Sequence, residues 1–187
     1  PLRCWFTASS CVPASPLETA ACSLSVEDLT SLLERDEVVA LAEMMNVPGV
    51  INCDPNVLAK VATGLRASQV DGHCPGLRGR DLDAYVASGV NSDHESTTAE
   101  EAAEKLAAGM TIYIREGTAA RNLEALLPIV TPNNAHRVCF CADDRHPSDL
   151  HHHGHIDNII RLAILMGLDP ATAIAMGSLH TAQHFGL

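Results

Sequence analysis

The sequence predicts an α/β fold of the TIM-type (β/α)8 barrel class, present only in part, with about six β/α units. Three observations predict it. Apolar, strand-like runs alternate with helical periodicities about six times, joined by loops of a few residues, as a parallel sheet with helical crossovers requires. Aromatic residues make up only 3% of the chain, so its core must be built from Ala, Val, Leu, Ile and Met, which suits β/α packing. Finally, polar groups stand at the ends of four of the apolar runs. They are Glu43 after VVALA, His73 after QVDG, His94-Glu95 after GVNSD, and Asp143-Asp144 after RVCFCA.

The elements follow in order. Residues 2–8 (LRCWFTA) read as a strand and residues 9–16 (SSCVPASP) as a turn. Ser25 is the expected N-cap of the next helix. EVVALA (37–42) is a buried strand that runs into Glu43 and a loop, MMNVPGVIN. Asp54 caps a helix that opens with Pro55, a residue whose missing N–H costs nothing at that position. A short strand at 68–72 ends at His73, followed by a Gly/Pro loop and the helix DLDAYVAS. Gly89 closes that helix and VNSD leads to His94. Thr98 with Glu101 fits a capping box, and Gly109 fits a helix stop. MTIYIR is a strand, GTAARNLEALLPIV a helix and RVCFCA the last strand. HIDNIIRLAILMG is an amphipathic helix, and one or two more helices complete the chain. His151, His152 and His153 read as a solvated loop or helix start, or as part of an active-site rim.

Bulk composition narrows the function. Apolar residues are 47% and charged residues 19%, a globular balance. The net charge of −11 repels phosphate backbones, so nucleic acid is not an expected partner. No apolar run reaches the roughly 18 residues a membrane helix needs. Seven cysteines form no regular framework, and Cys139 and Cys141, alternating in an apolar run, are expected on opposite faces of a strand rather than in a CxxC site. This usage points to a reducing cytoplasm. There is no nucleophile elbow, phosphate loop or dinucleotide fingerprint. Metal-activated water is the chemistry that remains.

Most of the candidate residues carry a plain alternative. His73 is a metal ligand or a satisfied structural histidine; Gly72 before it permits close backbone approach. His94 is a ligand, and Glu95 either turns over the site or caps a helix. Asp143 either combines metal contact with proton transfer or belongs to an Asp-rich turn before Pro147. Glu43, in a greasy setting, is bound to metal or to an Arg. Arg115 clamps substrate, neutralises carboxylates or forms a structural ion pair. His155 reaches substrate or caps its helix.

SSCVPASPLET, LAEMMNVPGVI, VDGHCPGL, GVNSDHESTTAEEA, LAAGMTIYIREGTAARNLEALLP, CADDRHPSDL and GHIDNIIRLAILMGLDPATAIAM resemble the adenine deaminase family of the amidohydrolase superfamily. The likeness is in register over nearly the whole chain. It implies a distorted (β/α)8 barrel with two divalent metal ions, Mn or Fe or in some members Zn. It also implies hydrolysis of adenine, a small purine, to hypoxanthine and ammonia in purine salvage by a cytoplasmic homo-oligomer. By this resemblance Glu43 bridges the metals, His73 and His94 bind one of them, and Asp143 is the proton shuttle. Apart from the resemblance, Glu95 is expected beside Asp143 as a catalytic residue, and Arg115 and His155 are expected to hold the purine.

The family also has a His-x-His pair on strand one, an Asp-Pro-His-Glu turn on strand two and a small β domain. None of these is expected in residues 1–187, so the chain reads as a partial catalytic barrel, inactive alone. The alternatives are an amidohydrolase acting on another cyclic amidine or amide, and a non-catalytic truncated paralogue. A smaller departure is His180, where the family has Asn.

Overall fold

The computed structural model describes residues 2–15 and 17–187, so Pro16 of the expected turn lies outside the described residues. The chain forms two units, Pro1–Ser92 and Asp93–Leu187. Each is an α/β unit with a parallel sheet, as the β-α alternation predicts.

The first unit has strands β1 (Phe6–Ala8), β2 (Val38–Met44) and β3 (Val70–Gly72) in the order β1-β2-β3. Both pairings are parallel, and β3 continues through a parallel bridge from Val70 to Val90. β1 is shorter than the predicted strand and takes only its last three residues. Helix α1 (Val26–Leu33) starts where expected. Ser25 accepts from the Asp28 N–H, and the Asp28 side chain returns the bond to Ser25 N. The loop expected after Glu43 contains a short helix, α2 (Val47–Ile51), whose N-cap Asn46 accepts from Gly49 N. Helix α3 (Pro55–Ala67) opens under Asp54, which accepts from Asn56 N and Val57 N. Helix α4 (Gly79–Ala87) buries Leu82 and Tyr85. Leu29, Ala40, Leu41, Val61, Val70, Leu82, Tyr85 and Val90 are almost completely buried and form this unit's core.

β4 (Ser92–Asp93), whose Asp93 opens the second unit, β5 (Thr111–Arg115) and β6 (Val138–Cys141) follow in the order β4-β5-β6. β5 and β6 pair in parallel without interruption, from Ile112 opposite Val138 to Arg115 opposite Cys141. Ile112, Ile114, Val138 and Phe140 face one way. They pack against Ala102 and Leu106 of α5 (Ala99–Ala107) and Ile159 and Ala163 of α8 (Ile156–Leu165). Period-two alternation then puts Tyr113, Arg115, Cys139 and Cys141 on the other face. The two cysteines therefore share a face rather than taking opposite ones as expected, because residues two apart in a strand point the same way.

The predicted helix over 117–130 is cut down to one turn, α6 (Leu123–Leu126), followed by a 3-10 turn at Leu127–Ile129. Local chemistry explains this. Glu116 bridges Arg121, Gly117 N donates to Ala120 O, and the Asp144 carboxylate accepts from Thr118 N and Ala119 N. Those backbone groups are thereby spent outside a helix, and Pro128 prevents extension at the other end. The histidine triplet lies in α7 (Pro147–His153) and is exposed. Two further helices, α9 (Pro170–Met176) and α10 (Leu179–His184), complete the chain. No helix of the described residues is long and apolar enough to cross a membrane.

Candidate metal and catalytic residues

Glu43 and His73 come together in the first unit. Glu43 lies near the end of β2 and His73 directly follows β3. Leu41 pairs with Val70 but Met44 pairs with Gly72, so β2 carries one extra residue in the interval that includes Glu43. Such a bulge re-aims a side chain. Here the Glu43 carboxylate lies 2.7 Å from His73 Nδ1. The Glu43 carbonyl accepts from Ser10 Oγ at 2.6 Å. Gly72 allows the next strand to approach: a Cβ there would lie 2.1 Å from Ser92 O and 2.8 Å from a Val90 methyl.

The second unit gathers His94, Glu95 and Asp143. Each offers a ligand atom, and these atoms lie within 4.8 Å of one another. His94 Nε2 is 3.5 Å from Glu95 Oε1. Arg115, at the end of β5, ties the carboxylates together. Its Nη1 donates to Asp143 Oδ2 at 2.7 Å and to Glu95 Oε1, and its Nη2 donates to Glu95 Oε2 at 3.1 Å. Burial alone would pull the Arg115 pKa down, but the hydrogen bonds and charges of Asp143 and Glu95 more than offset it. The guanidinium stays charged and its fork is committed to carboxylates.

Asp143 has φ of +50°, a left-handed conformation that costs a non-glycine residue about 1–2 kcal/mol. Asp tolerates it better than most residues, and such strain collects at functional sites. Asp144 points elsewhere, onto the loop at Thr118 and Ala119. His155 sits exposed at the start of α8, where its backbone N–H donates to Asp157 Oδ1.

One supporting group escapes sequence reasoning. Lys105 on α5 is completely buried, and its Nζ donates to Asp93 at 2.9 Å, Glu101 at 2.6 Å and Ser96 at 3.2 Å. Asp93 also accepts from Ser96 N and Oγ. These bonds clamp both ends of the segment bearing His94 and Glu95. Glu101 is drawn into the cluster, so the expected capping box is altered. Thr98 still accepts from Glu101 N, but the Glu101 carboxylate returns the bond to Thr97 N. The only signal in the sequence was the Glu101/Lys105 spacing, which looks the same as a solvated i,i+4 pair.

The donors are imidazole nitrogens and carboxylate oxygens, with no thiolate among them. That set suits Mn, Fe or Zn, and the carboxylates are themselves hydrogen-bonded, as ligating carboxylates require. The residues of each unit therefore fit a divalent metal ion on chemical grounds.

No family model matches the chain. Curated relatives match all of it. An adenine deaminase of Desulfatibacillum aliphaticivorans is 56% identical over 188 residues, covering 100% of this chain and 33% of the relative. Adenine deaminases of Thermosipho africanus and of Nitratidesulfovibrio vulgaris strain DP4 are each 48% identical with the same coverage. The chain spans about a third of the length of these relatives. Over its entire length it belongs to the adenine deaminase family.

Proposed function

We propose that the protein of which this sequence is part hydrolyses adenine to hypoxanthine and ammonia, with a divalent metal centre served by Glu43, His73, His94 and Asp143. The observation that carries the reading is the local grouping of His94, Glu95 and Asp143 around Arg115, on a chain 48–56% identical to proteins named adenine deaminase. The TIM-type barrel belongs to the same reading. It is supported by parallel strands that pair with their sequence neighbours in each unit.

The metal centre supplies ionisation of a water molecule near neutral pH. The protein's residues do the rest. Asp143 accepts a proton from the attacking water as oxygen adds to C6 of the purine. The C6=N1 π pair moves onto N1 as oxygen adds. Asp143 then returns its proton to the C6 amino group, and the C6–N bond breaks to release ammonia as C6=N1 re-forms. The remaining hydroxyl proton shifts from O6 to N1 to give hypoxanthine. Arg115 holds Asp143 and Glu95 in place and keeps both carboxylates partnered. Glu95 sits beside His94 within reach of the reacting water or the ring. His155 is the remaining candidate for contact with the purine. Cytoplasmic purine salvage by a homo-oligomer is the setting this activity fits.

The test is ammonia release from adenine by the full-length enzyme, before and after removal of divalent metal with a chelator. The expected result is metal-dependent conversion to hypoxanthine. No turnover of adenine by the metal-loaded enzyme, or turnover that survives full metal removal, would reject the reading.

A further inference from the structure

We propose that the buried hydroxyl of Tyr85 is a positioning group for the metal donors Glu43 and His73. The inference rests on their proposed role as metal donors. Tyr85 lies on α4 and is completely buried. Its hydroxyl donates to Met44 O at 2.5 Å and accepts from His73 N–H at 3.1 Å. Met44 directly follows Glu43 in the chain. One oxygen atom is therefore bonded to the backbone of His73 and to that of the residue after Glu43.

The position of this contact gives it meaning. The bulge between Leu41 and Met44 interrupts the ladder of β2 and β3 just where both strands deliver a side chain. Backbone groups at such a break must find another partner, or burial would cost them about 1–3 kcal/mol each. The phenol supplies it from α4. Gly72 leaves room for it, since a Cβ there would stand 3.2 Å from the Tyr85 oxygen. Ser10 Oγ, bonded to Glu43 O, holds the other side of the same peptide segment. Glu43 and His73 are thus set by backbone anchors at a fixed separation, with 2.7 Å between carboxylate and imidazole. Removing the hydroxyl frees the two strand ends to drift, although the aromatic ring still fills its slot.

Tyr85→Phe makes that change alone. In the full-length enzyme, stripped of metal and titrated with manganese(II) by calorimetry, the variant should bind about 10–100-fold more weakly, the usual loss when a support of a metal ligand is removed. Secondary structure should be unchanged and turnover at saturating manganese largely recovered. Wild-type affinity in Tyr85→Phe would overturn the inference. His73→Ala is the companion variant. If it also binds manganese as the wild type does, the donor assignment itself is wrong. If it loses manganese while Tyr85→Phe keeps it, only the role of Tyr85 falls. Should Tyr85→Phe fail to fold, the wild-type enzyme carries the test through hydrogen exchange at the His73 amide. Manganese should slow exchange there, and an unchanged rate on loading would refute the coupling.

Discussion

The guanidinium of Arg115 links Asp143 to Glu95, with Nη1 2.7 Å from Asp143 Oδ2 and Nη2 3.1 Å from Glu95 Oε2. Replacing it with Gln leaves two carboxylates close together without their cation. Removing one partner of a fully buried pair costs about 3–5 kcal/mol. The Asp143 side chain is 35% exposed, so the loss should sit at or below the low end of that range. Arg115→Lys restores the charge but not the planar fork, and should recover less than half. Urea unfolding of the three proteins measures both differences, and equal midpoints would show that the pair contributes nothing.

Asp143 is the residue on which turnover should depend most. Asp143→Asn keeps the size and tolerates the left-handed backbone at φ +50°. It removes the basic oxygen that the proton needs. In the full-length enzyme we expect turnover to fall by several powers of ten while manganese still binds. Near-normal turnover in this variant would end the proton-transfer assignment.

The buried Lys105 cluster should be one of the stability hot spots of the second unit. Lys105→Met leaves Asp93 and Glu101 in the interior without their cation, and should cost about 3–5 kcal/mol. Adding Glu101→Gln should return part of it, since one of the two stranded charges is then gone. Denaturant midpoints with an unchanged slope would read this directly. A single variant as stable as the wild type would mean that water reaches the cluster.

These examples show what the sequence made legible. Helix starts with local signatures, Ser25 and Asp54, are found as expected because a cap is a short-range contact. The strand ends bearing Glu43, His73, His94 and Asp143 were legible because apolar runs stop there. The partners of Arg115 were not legible, because they lie 20 and 28 residues away in the chain. Tyr85 and Lys105 resembled ordinary helix residues, since nothing near them in sequence announces a partner on a strand end. The overlong helix at 117–130 failed for a similar reason, because Asp144 captures its first N–H groups from 25 or more residues away.

Cys141 lies on the Arg115 face of the second sheet, and its thiol should be chemically quiet. Burial pushes its pKa up, and the Asp143 charge pushes it further. The thiolate is the reactive form, so the raised pKa suppresses alkylation at any ordinary pH. Cys4, Cys22 and Cys53 are exposed. Iodoacetamide at pH 8, followed by peptide mass mapping, should modify those three well before Cys141, although Cys141 is itself partly exposed. Early labelling of Cys141 in the native protein would show that this face opens to solvent.

Gly72 offers the sharpest test of how the first unit delivers its histidine. The position does not need a left-handed backbone. It needs the absence of a side chain, because a Cβ would lie 2.1 Å from Ser92 O and 2.8 Å from a Val90 methyl. The first contact is with backbone and cannot be relieved by a rotamer change. Gly72 N also donates to Ser92 Oγ, which in turn donates to Asp71, so the strands are pinned on both sides of the clash. Gly72→Ala must therefore push β3 away from the segment at Val90–Ser92. Forcing one methyl into a packed interior costs about 1–3 kcal/mol. The shift falls one residue before His73, so manganese affinity in the full-length enzyme should weaken together with stability. The same methyl added at Gly76, where no atom lies within 4 Å of the added carbon, serves as the contrast. That position has φ of +68°, so Gly76→Ala should cost backbone strain but leave manganese binding unchanged. If the two alanine variants lose affinity equally, close strand approach at Gly72 is not what sets His73.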